Sequence, residues 1–150
     1  MWFNRVKQDL GALPDMIDYY AAEAEKAHWE TRIQGSLEKN AQDLPGQVSY
    51  RFGQLQELEA VLKHLNTRYD KLRSDHYRRY LERYNRELSD RSIEKYIDGE
   101  TDVINMLDLV NEVALMRNKY LGLMKALDAK NYQMGHIVRL RVAGMNDSEL

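Results

Sequence analysis

Cysteine is absent from the chain, which excludes disulfides, zinc–thiolate sites and thiol nucleophiles. Nothing therefore points to an oxidising compartment. Proline occurs only 2 times and glycine 8 times, so long stretches are free of helix breakers. No apolar run approaches the ~20 residues that a membrane-spanning helix needs. The opening residues, Met1-Trp2-Phe3-Asn4-Arg5, lack the apolar core of a signal peptide, so the expected location is the cytoplasm. Glycine-rich phosphate loops are missing, and no Ser/His/Asp arrangement is visible. The expectation is a protein that is not an enzyme and needs no cofactor.

What is present is charge and helical periodicity. Of the 150 residues, 31% are charged and 43% hydrophobic, a mixture that with few breakers points to an all-α protein of long helices. Long thin helices bury less surface per residue than a globule, so self-association is the expected way to cover their remaining apolar stripes. The net charge of −2 is unevenly spread. Residues 1–45 carry 5 Lys/Arg against 8 Asp/Glu, residues 46–91 carry 10 against 7, and residues 92–150 carry 7 against 9. The positive charge is densest between Arg68 and Arg91, the asymmetry expected of an anion binder.

Three segments follow within one structural unit. Residues 1–45 form an arm and a helix, 46–91 a long basic, tyrosine-rich helix, and 92–150 a C-terminal helical core. The arm ends at Gly11. Pro14 suits the start of a helix, with Asp15 and Asp18 near its positive end. This first helix is predicted to run to about residue 42 with a weak stripe of Ile17, Tyr20, Ala24, Ala27, Ile33 and Leu37. Leu44-Pro45-Gly46 then breaks the chain. The next helix is predicted to reach about Leu88. Its apolar positions Leu55, Leu58, Leu62, Leu65, Tyr69, Leu72 and His76 step by three and four, a coiled-coil-like seam. A helix of about 40 residues would be roughly 60 Å long and needs partners along its length. Ser89 or Asp90 can cap a short helix that ends at Asp98-Gly99, with Gly99 as a left-handed stop. A fourth helix over 101–128 carries Val103, Ile104, Leu107, Val110, Val113, Ala114, Leu121, Met124 and Leu127. Asn131 can cap a fifth, with Met134, Ile137, Val138 and Leu140, which Gly144 ends.

Three groups of residues bear on chemistry. In the segment RYDKLRSDHYRRYLERYNRELSDR, basic side chains alternate with Tyr69, Tyr77, Tyr80 and Tyr84. Guanidinium and ammonium groups neutralise phosphates, and tyrosine faces can stack on unpaired bases at ~1–3 kcal/mol per base. The same spacing also fits tyrosines that continue the seam, with Arg78, Arg79 and Arg83 as a solvated face paired to Asp75, Glu82 and Glu87. Glu25 and His28 stand in the Glu-x-x-His spacing of di-iron bundles, but such a centre needs two of these pairs and two further glutamates. His76 is expected to be packed in the seam. The acidic run Asp98-Gly99-Glu100-Thr101-Asp102 lacks the ligand spacing of a calcium loop and reads as a turn with acids at a helix start.

The stretch EKYIDGETDVINML, followed by YLGLMKALDAKNYQMGHIVRLRVAG, resembles the phage UvsY family of recombination mediators. The shared pattern runs over roughly residues 65–146. It comprises the acidic turn before Val103 and Ile104, the leucine-rich helix, the polar turn Lys130-Asn131-Tyr132, and a last helix with Ile137, Arg139 and Arg141 closing on Ala143-Gly144. The resemblance implies a ring-like homo-oligomer that binds single-stranded DNA. It also implies partnership with a single-strand-binding protein, whose hold on the DNA is weakened, and with a RecA-like recombinase, whose loading is helped. On that basis Lys71, Arg73, Arg78, Arg79 and Arg83 are the expected phosphate contacts, with Tyr77, Tyr80 and Tyr84 as stacking partners. Val103, Leu107, Val110, Leu121, Met124, Leu127, Ile137 and Leu140 are expected to form the core and the subunit contacts. A competing reading is a helical homo-oligomeric scaffold or adaptor that never touches nucleic acid.

Overall fold

A computed structural model describes residues 1–83 and 88–145. The fold is all-α, and no strand occurs among these residues. The helices are α1 (Trp2–Gln8), α2 (Leu13–Glu30), α3 (Leu37–Arg83), α4 (Asp90–Asp98) and α5 (Thr101–Val142). A single 3-10 turn, Leu10–Ala12, joins α1 to α2. Among the described residues, no helix is long and apolar enough to cross a membrane.

Two compact units share the long helices. The first combines Met1–Ala12 with Glu57–Leu115, and the second combines Leu13–Gln56 with Met116–Leu150. In the first unit the predicted seam is real. Leu58, Leu62, Leu65 and His76 are buried, and Tyr69 and Leu72 are half-buried. Ile93, Ile97 and Val103 make a cluster against which Tyr69, Leu72, Tyr77, Tyr80 and Leu88 pack. Ser89 caps α4 as expected, its hydroxyl oxygen accepting the Ser92 N–H at 3.2 Å. Gly99 ends α4, but with φ −88 rather than in the left-handed region, so its stop is an ordinary right-handed turn. At the other end of the unit, the Phe3 N–H donates to Glu57 Oε1 at 2.9 Å, which ties α1 to α3.

The second unit corrects the predicted break. α3 runs through Leu44-Pro45-Gly46 without ending, and the interruption lies at residues 31–36. Gly35 takes φ 75, a conformation that favours glycine. The Ser36 hydroxyl then accepts the Lys39 N–H at 3.1 Å, and the buried Asn40 amide donates to the carbonyls of Gln34 and Ser36, both at 2.7 Å. Pro45 leaves one helical carbonyl without its donor, a local cost of ~3 kcal/mol. Leu44 on one side of it packs with Leu127 and Met134, and Val48 on the other joins the same cluster. Burial of two or three large aliphatic side chains, at ~1.5–3 kcal/mol each, outweighs the proline defect.

The boundary expected between a fourth and a fifth helix is also absent, because α5 is continuous over Thr101–Val142. Lys130 does not start a turn. It is buried, and its ammonium donates to the Glu30 carbonyl at 2.7 Å, satisfying the C-terminal end of α2. The inward stripe of α2 is Leu13, Met16, Tyr20, Glu23 and Ala27. Glu23 is tolerated there because Arg51, only 3% exposed, donates to it at 2.7 Å and to both carboxylate oxygens of Glu30 at 2.9 and 2.6 Å. Gln54 completes this network through Glu23 at 3.1 Å and Arg51 at 2.9 Å. Burial alone would raise the Glu23 carboxyl, but hydrogen bonds from Arg51, Gln54 and Lys26 hold it below the usual glutamate range.

Candidate nucleic-acid interface

The basic and tyrosine residues of the predicted site divide into two groups. Lys71, Arg78, Arg79 and Arg83 lie exposed along the C-terminal part of α3. Lys71 stands 4.0 Å from Asp75, a surface pair one helical turn away that costs little to open. Among the described residues, Arg78, Arg79 and Arg83 have no salt-bridge partner within 4.0 Å, so the predicted pairing with Asp75 and Glu82 does not form. Glu87 lies outside the described residues, as does Tyr84.

Arg73, Tyr77 and Tyr80 are instead engaged by the fold. The Arg73 guanidinium donates to Asp98 at 2.6 Å and to the Tyr69 hydroxyl at 3.3 Å, which pins the end of α4 to α3. The Asp98 carboxylate beside it raises its pKa further, so its charge is fixed and already paired. The Tyr77 hydroxyl donates to Asp90 at 2.6 Å while its ring packs on the Ile93–Ile97–Val103 cluster. Tyr80 donates to Glu100 at 2.6 Å and stacks on Tyr96 with 5.8 Å between ring centroids and 21° between planes. The expectation of open stacking faces at Tyr77 and Tyr80 is therefore revised. Their helical spacing serves the core, because α4 folds back onto that side of α3. An exposed aromatic that sequence reasoning missed is Tyr96, which is 55% exposed and rests against Tyr80. Helical spacing does not mark it as exposed, because Tyr96 stands three residues after the buried Ile93 at the flank of the apolar stripe of α4.

The residues predicted for assembly also divide. Val103, Val110 and Leu127 are buried within their own chain as core residues. Met124 and Ile137 are half-buried, whereas Leu107, Leu121 and Leu140 are exposed. The inward face of α5 uses Val113, Met116, Tyr120 and Met134, so Leu121 falls one position off the stripe. Tyr120 is fully buried, and its hydroxyl donates to the Tyr20 carbonyl at 3.0 Å. Exposed apolar side chains beyond the predicted set include Ile104, Leu115 and Val138.

No protein-family model matches the chain, and no curated protein or solved structure is significantly similar to it.

Proposed function

We propose that this chain binds single-stranded DNA through the exposed α3 face of Lys71, Arg78, Arg79 and Arg83, and acts as a homo-oligomeric recombination mediator. In that role it helps a RecA-like recombinase onto DNA covered by single-strand-binding protein. The observation that carries the binding step is the set of three exposed guanidinium groups, Arg78, Arg79 and Arg83, with no carboxylate partner among the described residues. Guanidinium groups on one short helical segment with no ion pair among the described residues suit phosphate recognition, because none of those residues' carboxylates must first be displaced. Tyr96, held against Tyr80, adds an aromatic face for an unstacked base. The mediator role itself is supported by the sequence resemblance alone.

The test is fluorescence anisotropy of a labelled single-stranded oligonucleotide at several salt concentrations, with a duplex of equal length as competitor. Three or four phosphate contacts per subunit predict a slope of log K against log salt of about −2 to −3. Arg78→Glu with Arg79→Glu should abolish binding while the helical circular dichroism stays unchanged. Undiminished binding by that double variant at matched salt would remove this face as the site. The scaffold reading has an observation in its favour as well, the exposed apolar residues Ile104, Leu107, Leu115 and Leu121 on α5. Absence of single-strand binding even at low salt selects that reading.

A further inference from the structure

The acidic turn between α4 and α5 is not only a turn. Asp98 is taken by Arg73, which leaves the carboxylates of Glu100 and Asp102. The imidazole of His76 meets both of them from α3, and His76 is only 3% exposed. Its Nε2 lies 2.9 Å from each carboxylate oxygen of Asp102. Its Nδ1 is buried, stands 3.9 Å from Glu100 Oε1 and has no hydrogen-bond partner among the described residues. One donor atom from each of His76, Glu100 and Asp102 can be chosen so that all lie within 4.8 Å of one another. A buried nitrogen left unpaired beside a carboxylate is costly unless something else draws the group into place.

We infer that His76, Glu100 and Asp102 form a binding site for a divalent transition-metal ion of the zinc type. Two bonds of ~2.0–2.1 Å meeting at a metal ion span about 2.9–3.3 Å between donor atoms, so the spacing of His76 Nε2 and Asp102 already suits a shared ion. Binding displaces the proton that Nε2 shares with Asp102, and the neutral imidazole then carries its proton on the buried Nδ1, which faces Glu100 Oε1 at 3.9 Å. Both carboxylates also accept hydrogen bonds from other groups of the chain. Tyr80 donates to Glu100 at 2.6 Å, and the Val103 N–H donates to Asp102 at 2.9 Å, the outer contacts that orient metal ligands. An imidazole with two carboxylates favours zinc, cobalt or nickel over calcium or magnesium, which prefer all-oxygen shells. Asp102 and Glu100 keep side-chain exposures of 54% and 36%, so an ion has an entry path and room for water. The ligands come from α3, the turn and the first residues of α5, so the ion cross-links three segments of the first unit.

The experiment uses the full chain, stripped with a chelator and titrated with Zn²⁺ by calorimetry, then with Co²⁺ by visible absorption. The expected result is one saturable equivalent per chain, undisturbed by equimolar Mg²⁺, with a raised thermal midpoint. Glu100→Gln and Asp102→Asn should each weaken binding at least ten-fold while circular dichroism stays native. In wild-type protein, sub-stoichiometric Zn²⁺ should shift the imidazole NMR signals of His76 before those of His28, His64 and His136, a readout that needs no variant to fold. No saturable binding, unaltered affinity in both variants, or first movement of another histidine overturns the inference.

Discussion

Replacing Arg51 with methionine tests whether the buried ion network holds the second unit together. Arg51 is 3% exposed and bridges Glu23 at 2.7 Å and Glu30 at 2.6 Å. Methionine fills most of the volume of the arginine stem but leaves Glu23 buried, with Gln54 as its remaining partner across the helices. Removing one member of a buried pair costs ~3–5 kcal/mol, most of it the desolvation of the charge left behind. With a urea dependence of ~2 kcal/mol per molar, the unfolding midpoint should fall by about 2 M. Adding Glu23→Leu should recover at least half of that loss, because the stranded carboxylate is gone. The pH dependence should change sign as well. In wild type the Glu23 carboxyl is held below its usual range, so its contribution is present above the unfolded value of ~4.3 and is lost as pH falls through the lower folded value. Without Arg51, burial dominates and raises it, so the variant loses stability as pH rises from about 4 towards 7. The gap between Arg51→Met and wild type should therefore widen with pH. A loss under about 1 kcal/mol at neutral pH, or no recovery in the double variant, would refute the reasoning.

Gly35→Ala should destabilise by about 1–2 kcal/mol, because φ 75 there is left-handed although nothing lies near an added Cβ. Gly53→Ala, inside α3 with open space around it, should instead stabilise by about 0.5–1 kcal/mol, and chemical denaturation distinguishes the two signs. Leu121→Asp should leave the fold of the chain intact, since Leu121 is 37% exposed, yet reduce the mass seen by light scattering if α5 carries the subunit contacts. A native oligomer mass in that variant would place the contacts elsewhere.

The parts of the fold legible in the sequence are those set by local chemistry. The seam through Leu58, Leu62, Leu65 and His76 follows from periodicity, and the start of α4 follows from a serine beside an acidic first turn. Proline is a stronger local break signal than glycine followed by serine, so the sequence points to Leu44-Pro45-Gly46 although the break lies at residues 31–36. Pro45 sits between side chains that the Leu127–Met134 cluster buries, and that burial depends on residues more than 80 positions away. At Gly35-Ser36 the signal was present, a left-handed glycine followed by an N-capping hydroxyl, but nothing in sequence ranks it above the proline. Lys130 is a plainer case. A lysine beside Asn131 reads as a turn, and only the fold brings the Glu30 carbonyl to its ammonium. Arg51 belongs to the same class, because its partners lie 21 and 28 residues away on another helix.

The Arg/Tyr segment shows how one pattern can carry two jobs on opposite sides of a helix. Tyr77 and Tyr80 lie three residues apart, and their hydroxyls donate to Asp90 and Glu100 while their rings cover the α4 cluster. Arg78 and Arg79, interleaved with them, point to solvent. Alternation along the sequence therefore becomes segregation in space, with aromatic groups inward and cations outward. The consequence for binding is specific. If the proposed binding holds, an α3 face whose Tyr77 and Tyr80 are engaged by the core would attract a polyanion chiefly by charge, and affinity should follow salt steeply and base identity weakly. Tyr96 is an exposed aromatic of the same unit, its ring fixed by Tyr80 and its helix anchored by the Arg73–Asp98 pair. The contacts that took Arg73 and Tyr80 out of the predicted interface are thus the ones that hold Tyr96 at its edge.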